Sequence, residues 1–345
     1  MAAESSSLER YPGPPPVELP GSAPTGYSSP KARFRLPFRL PRSGPMRLGL
    51  GILAFFILVA IFGPLLVPGN PNLSTPYGNL PPSPQHLLGT TTIGQDIFRQ
   101  LVDGTRLSVL IGFTCGLLTT IVAIVVGVTG GYLGGWIDEL LSLASNIFLV
   151  IPQLPLIIVL AALVPAGRGP GTVIIVISVT GWAWGARVMR SVTLTLRQRD
   201  YVQASRVGGE STLRVIFFEI VPNMGAIIAT NFIFATIAAI LTEATLEFLG
   251  LSDLTQVSWG TMLYWAQNND ALLGGHWFWF VPPGICIALL CTSLALVNYG
   301  IDSVVNPRLR AVAVAKPKFL PLLASLFPMF FANRYIEKAV QQHGK

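Results

Sequence analysis

The sequence has 345 residues, of which 51% are hydrophobic and only 11% are charged, and its mean hydropathy is +0.59. Soluble domains carry about 25% charged residues, so this composition indicates a membrane protein. The net charge of +7 does not indicate a nucleic-acid partner, because the basic residues are dispersed between apolar runs instead of forming one basic face. The three cysteines lie inside apolar runs without a Cys-x-x-Cys pair or clustered histidines, which argues against a metal or redox site.

The first predicted region, residues 1–46, is a Pro-rich tail with a basic flank. Seven prolines lie among serines and glycines in residues 1–30, and such a segment cannot bury enough apolar surface to become ordered. Six Lys and Arg residues then follow between positions 31 and 47 with no acidic residue among them. By the positive-inside rule, this flank predicts a cytoplasmic N-terminus.

Six apolar runs are candidates to cross a bilayer, which takes about 20 residues each. They lie at about 48–67, 107–130, 140–164, 171–196, 223–242 and 277–301. The fourth run is uncharged only as far as residue 186, and we expect its helix to continue past Arg187 and Arg190, whose long side chains can reach the headgroups.

Basic residues are concentrated at the N-terminus, between the fourth and fifth runs, and at the C-terminus, so all three regions are expected in the cytoplasm. The sequence therefore predicts an all-α integral membrane protein with six transmembrane helices in residues 47–310. Residues 311–345 are expected to form a cytoplasmic or interfacial extension.

The segment between the first two runs carries His-Leu-Leu-Gly-Thr at 86–90, Gly-Gln-Asp at 94–96 and Gly-Thr-Arg at 104–106. This pattern resembles the HPLGTD…GRD…GAR signature of the dipeptide and oligopeptide permease subfamily of ABC importers. Leu87, Thr91 and Gln95 replace its Pro, Asp and Arg. Two roles are open: the motif shapes the external face near a binding protein, or it only fixes the turns of the loop. The motif residues singled out are Gly89, Thr90, Gly94 and Asp96.

The third run contains Pro152, Gln153 and Pro155, so its ladder of backbone hydrogen bonds must be interrupted. Broken spans with polar residues often line a cavity, which makes Pro152 and Gln153 candidates for the translocation path. A kinked helix packed in the bundle is the alternative. Gly-x-x-x-Gly spacings between residues 127 and 135 predict close helix packing.

The segment 200–223 carries five charged residues, so we expect it in water between the fourth and fifth spans. Asp200 and Gln203 predict a capping box that starts a first helix, which Gly208 and Gly209 end with a positive φ. Ser211 is the predicted cap of a second helix that stops before Pro222. The second helix has one predicted apolar stripe with i, i+3, i+4, i+7 spacing, formed by Leu213, Ile216, Phe217 and Ile220.

The same segment resembles the EAA-type loop of ABC importer permeases, which reads Glu-Ala-Ala, three residues, Gly, and later Ile-x-Leu-Pro. The matching residues are Gln203, Ala204, Ser205, Gly209, Ile220, Val221 and Pro222. Gln203, Ser205 and Val221 depart from the pattern, and the first of these loses a charge. The resemblance implies short coupling helices that contact a cytoplasmic ATPase. The alternative is an ordinary amphipathic loop at the membrane interface.

After the fifth run, Glu-Ala-Thr-Leu-Glu-Phe-Leu-Gly-Leu at 243–251 and Ser-Trp-Gly-Thr-Met-Leu at 258–263 resemble the EASLSFLGLG…SWGTML block of the same subfamily. Glu243 and Glu247 lie one helical turn apart, and ionisable groups at such depth tend to face protein or a water-filled path. Two interpretations are open: Glu243 borders the translocation path, or it emerges into the external interface. Aromatic-belt anchors are predicted at Trp182, Trp184, Trp277 and Trp279.

The resemblance covers about residues 45–310 and implies the type I ABC importer permease fold in the bacterial inner membrane. It also implies a second homologous permease in a heterodimer, two cytoplasmic ABC ATPases that bind ATP and Mg²⁺, and an extracytoplasmic solute-binding protein. The sequence has no P-loop, so we expect this chain to bind no cofactor and to catalyse no reaction itself. The implied cargo is a di- or oligopeptide. The alternatives are nickel or another small solute, a stand-alone secondary transporter, or a non-transporting scaffold.

Overall fold

The structure is a computed structural model that describes residues 44–163 and 169–305. Residues 1–43 of the Pro-rich tail and basic flank predicted at 1–46, and the extension predicted at 311–345, lie outside the described residues; residues 44–46 belong to a helix.

Within those two ranges the regular secondary structure is helical, and a single isolated β-bridge pairs Thr90 with Asp96. The long helices are α1 (Gly44–Leu66), α2 (Ile97–Leu133), α5 (Pro170–Leu196), α8 (Gly225–Phe248) and α10 (Trp277–Val305). The shorter helices are α3 (Gly135–Val150), α4 (Gln153–Leu163), α6 (Asp200–Val207), α7 (Thr212–Val215) and α9 (Trp259–Asn268).

Five helical stretches are long and apolar enough to cross a membrane, and α3 with α4 makes a sixth if the bent pair counts as one span. The predicted class of fold, an all-helical membrane protein, is therefore confirmed. Two helical stretches begin about ten residues before the apolar runs predicted within them. α2 begins at Ile97 instead of near 107, because the Asp96 side chain caps it by accepting a hydrogen bond from the Arg99 backbone N–H at 2.9 Å. The fifth span belongs to a helical stretch that runs from Thr212 to Phe248.

The third span is interrupted at the predicted prolines. α3 and α4 are bent by 94° relative to each other across the short break between them. Pro152 lies in this break and is exposed, and Gln153 begins α4. The bend arises because proline has no backbone N–H and clashes with the preceding turn of a continuous helix.

Glycines on α2 allow it to pack directly against α5 and α8, and this seam is the centre of the bundle. A Cβ atom at Gly127 would lie closer than 3.0 Å to the backbone oxygen of Ala186 on α5. A Cβ atom at Gly116 would be equally close to the Thr236 hydroxyl on α8. The close packing predicted from the glycine spacing at 127–135 is confirmed at Gly127 and at Gly131, where a Cβ would lie 2.9 Å from the Arg190 backbone oxygen, but not at Gly135, where nothing lies within 4 Å.

The loops divide between two ends of this bundle. The basic end holds residues 197–224, and the Arg197 guanidinium ties it to the end of α2 by donating to the Gly131 carbonyl at 3.0 Å. The opposite end holds residues 67–96 and 249–276, which meet where the Asn72 amide donates to the Thr255 carbonyl at 3.2 Å.

The prediction of four aromatic-belt anchors is wrong for two of them. Trp184 and Trp277 are exposed on the surface of the chain, whereas Trp182 and Trp279 are buried in its interior. Trp182 packs against Phe148 with 5.3 Å between the ring centroids and the rings tilted by 58°, so it joins α5 to α3 instead of facing headgroups.

Candidate functional site

At the basic end, α6 and α7 are held against the bundle by a small apolar core. Its buried members are Val128, Tyr132, Met189, Val202, Val215, Ile216, Ile220 and Met224. The Arg206 guanidinium also lies over the Tyr132 ring, 5.0 Å from its centroid, which fixes α6 against the end of α2. The segment 197–224 is therefore a folded element with a defined position on α2 and α5.

The predicted capping of α6 is wrong in its details. The N-cap residue is Arg199, and Asp200 lies in the first turn without a capping hydrogen bond. The Gln203 side chain donates to the Arg197 carbonyl at 2.9 Å, so it anchors α6 to the end of α5 instead of completing a capping box. Ser211 does occupy the N-cap position of α7, but its side chain makes no capping hydrogen bond.

The turn between the two short helices agrees with the prediction at one of its two glycines. Gly209 has a φ of +78°, in the left-handed region that favours glycine, whereas Gly208 has a φ of −70°. No neighbouring atom lies within 4 Å of a Cβ atom placed at Gly209. Backbone conformation alone, and not space, therefore makes glycine preferable at this position.

The predicted stop before Pro222 is wrong, because helical turns continue through it. A π-helical turn at Ile216–Ile220 and a 3₁₀ turn at Val221–Met224 connect α7 to α8. The missing N–H of Pro222 is tolerated because proline lies in the first turn of the 3₁₀ segment, where no hydrogen bond is required of it.

The π turn also divides the predicted apolar stripe. Ile216 and Ile220 are buried, but Leu213 is 67% exposed and Phe217 is 61% exposed. A π turn closes i→i+5 hydrogen bonds, so its buried residues recur at a wider spacing than in an α-helix. The stripe prediction, which assumed an α-helical period, is therefore correct for only two of its four members.

The exposed apolar residues of this segment are together called the apolar tip. It comprises Val207 on α6, which is 90% exposed, and Leu213, Phe217 and Phe218 beyond the Gly209 turn. Ala204 on α6 and Pro222 in the 3₁₀ turn are also exposed, while Ser205 is half-buried and donates to the Tyr201 carbonyl at 3.1 Å. Apolar groups concentrated on a charged, polar loop are typical of a protein interaction site.

At the opposite end, the residues of the 86–96 motif fix one another. Gly89 and Gly94 both have positive φ values, +77° and +80°. The buried Thr90 hydroxyl accepts from the Leu80 backbone N–H at 2.9 Å, and Asp96 accepts from the His86 ring at 2.7 Å while it caps α2. These contacts support the structural role of the motif, because each of its members stabilises a turn.

Glu243 and Glu247 belong to a buried polar cluster that joins α2, α8 and α9. Glu243 is 1% exposed and accepts a hydrogen bond from Ser108 on α2 at 3.3 Å. Glu247 is 3% exposed and accepts from the hydroxyl of Ser258, the N-cap residue of α9. Trp259 extends the cluster, because its backbone N–H donates to Ser108 at 3.3 Å. Burial contradicts the interpretation that Glu243 emerges into the external interface.

Gln153 instead lines a groove between α5 and α8, with a volume of about 400 Å³. Its polar lining comprises Gln153, Thr119, Asn231 and Thr242, and neither glutamate of the buried cluster lines it. Trp184 and Phe234 form an edge-to-face pair on it, with ring centroids 6.5 Å apart. The structure therefore separates the predicted path residues: Gln153 lies in a groove, whereas Glu243 and Glu247 lie in the protein interior.

Ser108, Thr119 and Asn231 were not predicted as site residues. All three are polar residues inside apolar runs, and such residues tend to face protein or a cavity. That signal was available in the sequence. Their partners were not, because the Asn231 amide donates to Thr120, which lies 111 residues away, at 3.2 Å.

A bundle of apolar helices with a polar groove and an apolar tip on its basic end is typical of a membrane permease. Residues 121–311 match the family described as "binding-protein-dependent transport system inner membrane component". Residues 43–82 match the "N-terminal TM domain of oligopeptide transport permease C". The chain belongs to this family of binding-protein-dependent permeases and is a multi-pass protein of the bacterial cytoplasmic membrane.

Curated relatives agree with this assignment. The dipeptide transport system permease protein DppC of Bacillus subtilis (strain 168) is 34% identical over 278 residues, which cover 79% of this chain and 84% of the relative. The oligopeptide transport system permease protein OppC of the same organism is 35% identical over 268 residues, which cover 76% and 85%. OppC of Mycobacterium bovis is 31% identical over 234 residues, which cover 67% and 79%.

Proposed function

We propose that this chain is one of two homologous permease subunits of an ABC importer that takes up di- or oligopeptides. In this proposal the basic end faces the cytoplasm, since it carries Arg197, Arg199, Arg206 and Arg214. Two partner ATPases bind ATP and Mg²⁺, and this chain supplies half of the path. The names of the relatives, which are dipeptide and oligopeptide permeases, support a peptide cargo.

The observation that carries the proposal is the apolar tip. Leu213 and Phe217 remain exposed although the adjacent Ile216 is buried, so the chain itself offers them no partner site among the described residues. An ATPase surface that covers the tip would remove this apolar area from water, which contributes about 25 cal/mol per Å² before the costs of association. The segment is also firmly held by its own apolar core, so a displacement of the tip would move the ends of α2 and α5 with it.

The groove between α5 and α8 is the part of this chain that we assign to the translocation path. Its amide and hydroxyl groups, on Gln153, Asn231 and Thr242, can exchange hydrogen bonds with a peptide backbone. The adjacent Trp184 and Phe234 rings offer apolar contact to side chains. Uncharged groups of this kind suit a path that must release peptides of varied sequence, because they bind the shared backbone only weakly.

The decisive experiment replaces Phe217 by Asp in the tagged chain, with Phe217→Leu as the matched control. We expect Phe217→Asp to reduce the ATPase subunits that co-purify from the native membrane by at least about tenfold, because a buried carboxylate in the interface would be costly. The amount of this chain in the membrane should stay the same, since Phe217 is exposed in the isolated fold. Mass spectrometry of the purified samples measures both quantities.

Equal ATPase recovery from both variants would contradict the coupling role of the tip. Uptake of a labelled dipeptide that persists without ATPases would contradict the ABC mechanism and favour a secondary transporter. Competition of that uptake by unlabelled peptides, but not by nickel ions, is the result expected for a peptide importer.

A further inference from the structure

An apolar groove runs along the second half of α1, on the outer surface of the bundle, and neither the coupling nor the path described above uses it. The groove has a volume of about 620 Å³. Helices α1 and α2 form its two sides, and Cys286 of α10 also lines it. The lining residues used below are Leu58, Phe62 and Leu66 on α1, and Phe98 and Val102 on α2. We call it the α1 groove.

The length of the α1 groove matches one leaflet of a bilayer. Its lining on α1 extends from Phe55 to Leu66, and a rise of about 1.5 Å per helical residue makes this distance about 16 Å. A hydrocarbon core is about 30 Å thick, so one leaflet takes up about half of it. The groove ends at the last turn of α1, where the chain enters the loop 67–96. An acyl chain of a lipid in that leaflet can therefore lie along the whole groove.

The floor of the groove lies where α1 and α2 touch. A Cβ atom at Gly63 would lie 2.5 Å from Val102 Cγ1, so no side chain from this position divides the groove. The exposed Phe62 and Leu66 form its rim on the α1 side. In a bilayer no hydrophobic effect drives an acyl chain into such a groove, because the surrounding lipid is equally apolar. Selective binding of one lipid therefore needs a second contact, to the headgroup.

The Arg99 side chain offers that second contact at the mouth of the groove. Arg99 follows Phe98, which lines the groove, in the first turn of α2. A Cβ atom at Gly69 would lie 2.7 Å from Arg99 Nη1, so the guanidinium group lies against the chain just after it leaves α1. This is the level at which an apolar helix ends and headgroups begin. The groove and the cation are therefore placed as an acyl chain and its phosphate would be.

Arg99 has no anionic partner among the described residues. Its Nε atom is buried and has no hydrogen-bond partner there. The acidic residues nearest in sequence are Asp96, which pairs with His86 at 2.7 Å, and Asp103, which forms no ion pair within the described ranges. A partly buried guanidinium group is normally paired, and its fork of N–H donors matches the oxygens of a phosphate. An anion from outside the chain would complete the site.

We propose that the α1 groove and Arg99 together bind one phospholipid, with an acyl chain in the groove and the phosphate on the guanidinium group. Neither feature alone would select this ligand. A free phosphate ion has no use for the apolar walls, and an uncharged lipid has no use for the cation. The bound lipid would brace α1 against α2 and α10. The proposal is independent of the cargo and of the coupling role of the apolar tip.

The test uses the complex that purifies with the tagged full-length chain, reconstituted into bilayers. The probe is phosphatidylglycerol with a photo-reactive group on one acyl chain, and the matched probe is a diacylglycerol with the same chains but no phosphate. We expect the first probe to label residues 55–66 and 98–105 at least about tenfold more than the second, as read by mass spectrometry of the cross-linked peptides. An excess of inorganic phosphate should not reduce this labelling.

Two pairs of variants separate the contribution of the groove from that of the cation. Leu58→Trp fills the groove, whereas Ile61→Trp changes an exposed residue of α1 that does not line it. Arg99→Gln removes the charge, whereas Arg99→Lys retains it. We expect Leu58→Trp and Arg99→Gln each to lower labelling by phosphatidylglycerol about tenfold. Ile61→Trp should label as the wild type does, and Arg99→Lys should retain more labelling than Arg99→Gln.

Four results would overturn the proposal. These are equal labelling of the wild-type chain by the two probes, full labelling in Leu58→Trp or Arg99→Gln, competition by inorganic phosphate, and groove peptides that neither probe reaches because another subunit covers them. The comparison of the two probes uses only the wild-type chain, so it decides the question even where a variant does not fold.

Discussion

At the basic end the chain leaves Leu213 and Phe217 in contact with water, whereas at the opposite end it removes the carboxyl groups of Glu243 and Glu247 from water. An exposed apolar side chain adds little to folding stability, so a selected role in binding explains it better. A buried carboxyl group must be satisfied by neighbouring donors, and it destabilises the fold when they are lost. Substitutions at the opposite end should therefore affect folding first, and those at the basic end should affect assembly first.

The largest loss of stability is expected from Gly260→Val, which breaks the buried polar cluster at the end opposite the basic end. A Cβ atom at Gly260 would lie 2.5 Å from Glu247 Oε2 and 2.9 Å from the Ala244 Cα, and neither neighbour can move freely. We expect a loss of about 3 kcal/mol in unfolding free energy, measured as a lower thermal unfolding midpoint in detergent. Gly284→Val is the control, because nothing lies within 4 Å of a Cβ there. Equal midpoints for the two variants would refute the tight packing at Gly260.

A smaller effect is expected from Glu247→Ala, which removes the acceptor of the Ser258 hydroxyl. Ser258 is fully buried and would keep only the Thr261 hydroxyl, at 3.2 Å, as an acceptor, so the change should cost about 1–2 kcal/mol in unfolding free energy. Glu247→Gln keeps an oxygen in the same place and should retain most of the stability. The same thermal measurement tests both variants, and a Gln variant as unstable as the Ala variant would argue against the hydrogen bond.

The smallest effect on stability is expected from Gly209→Ala, at the basic end. The variant must hold a residue with a Cβ at a positive φ, which should lower the unfolding free energy by about 1 kcal/mol. No further cost is expected, because no atom crowds the position. Asparagine tolerates this conformation better, so Gly209→Asn should retain more ATPase recovery than Gly209→Ala. Gly208→Ala is the control, since Gly208 has a negative φ. Loss of ATPase recovery in the Gly208 variant alone would contradict this account of the turn.

The class of fold can be predicted from the sequence because only a few backbone structures are stable in lipid. A run of apolar residues in a bilayer must satisfy its backbone groups internally, so it becomes a helix. The interruption at Pro152 and the close approach at Gly127 follow from single-residue chemistry in the same way. Gly209 belongs with them, because the conformation of a turn depends mainly on local backbone preference.

The details that escaped prediction depend on distant parts of the chain. The π turn at Ile216–Ile220 aligns its buried residues with α2 and α5, a choice that local spacing does not determine. Glu243 finds its partner Ser108 across 135 positions of sequence. Gln203 lies four residues after the N-cap residue Arg199, one position too late for a capping box, and its amide donates to the Arg197 carbonyl instead. Local motifs identified these residues as important without indicating what they contact.

The glycine seam of α2 also restricts how this subunit can move. Helices slide past each other when a layer of flexible side chains between them can change rotamers, as in shear motions. No such layer exists at Gly127 or Gly116, where backbone and a short hydroxyl side chain fill the space of a Cβ. We therefore expect α2, α5 and α8 to turn as one solid block during transport, with any sliding confined to the surfaces that this block presents to other subunits.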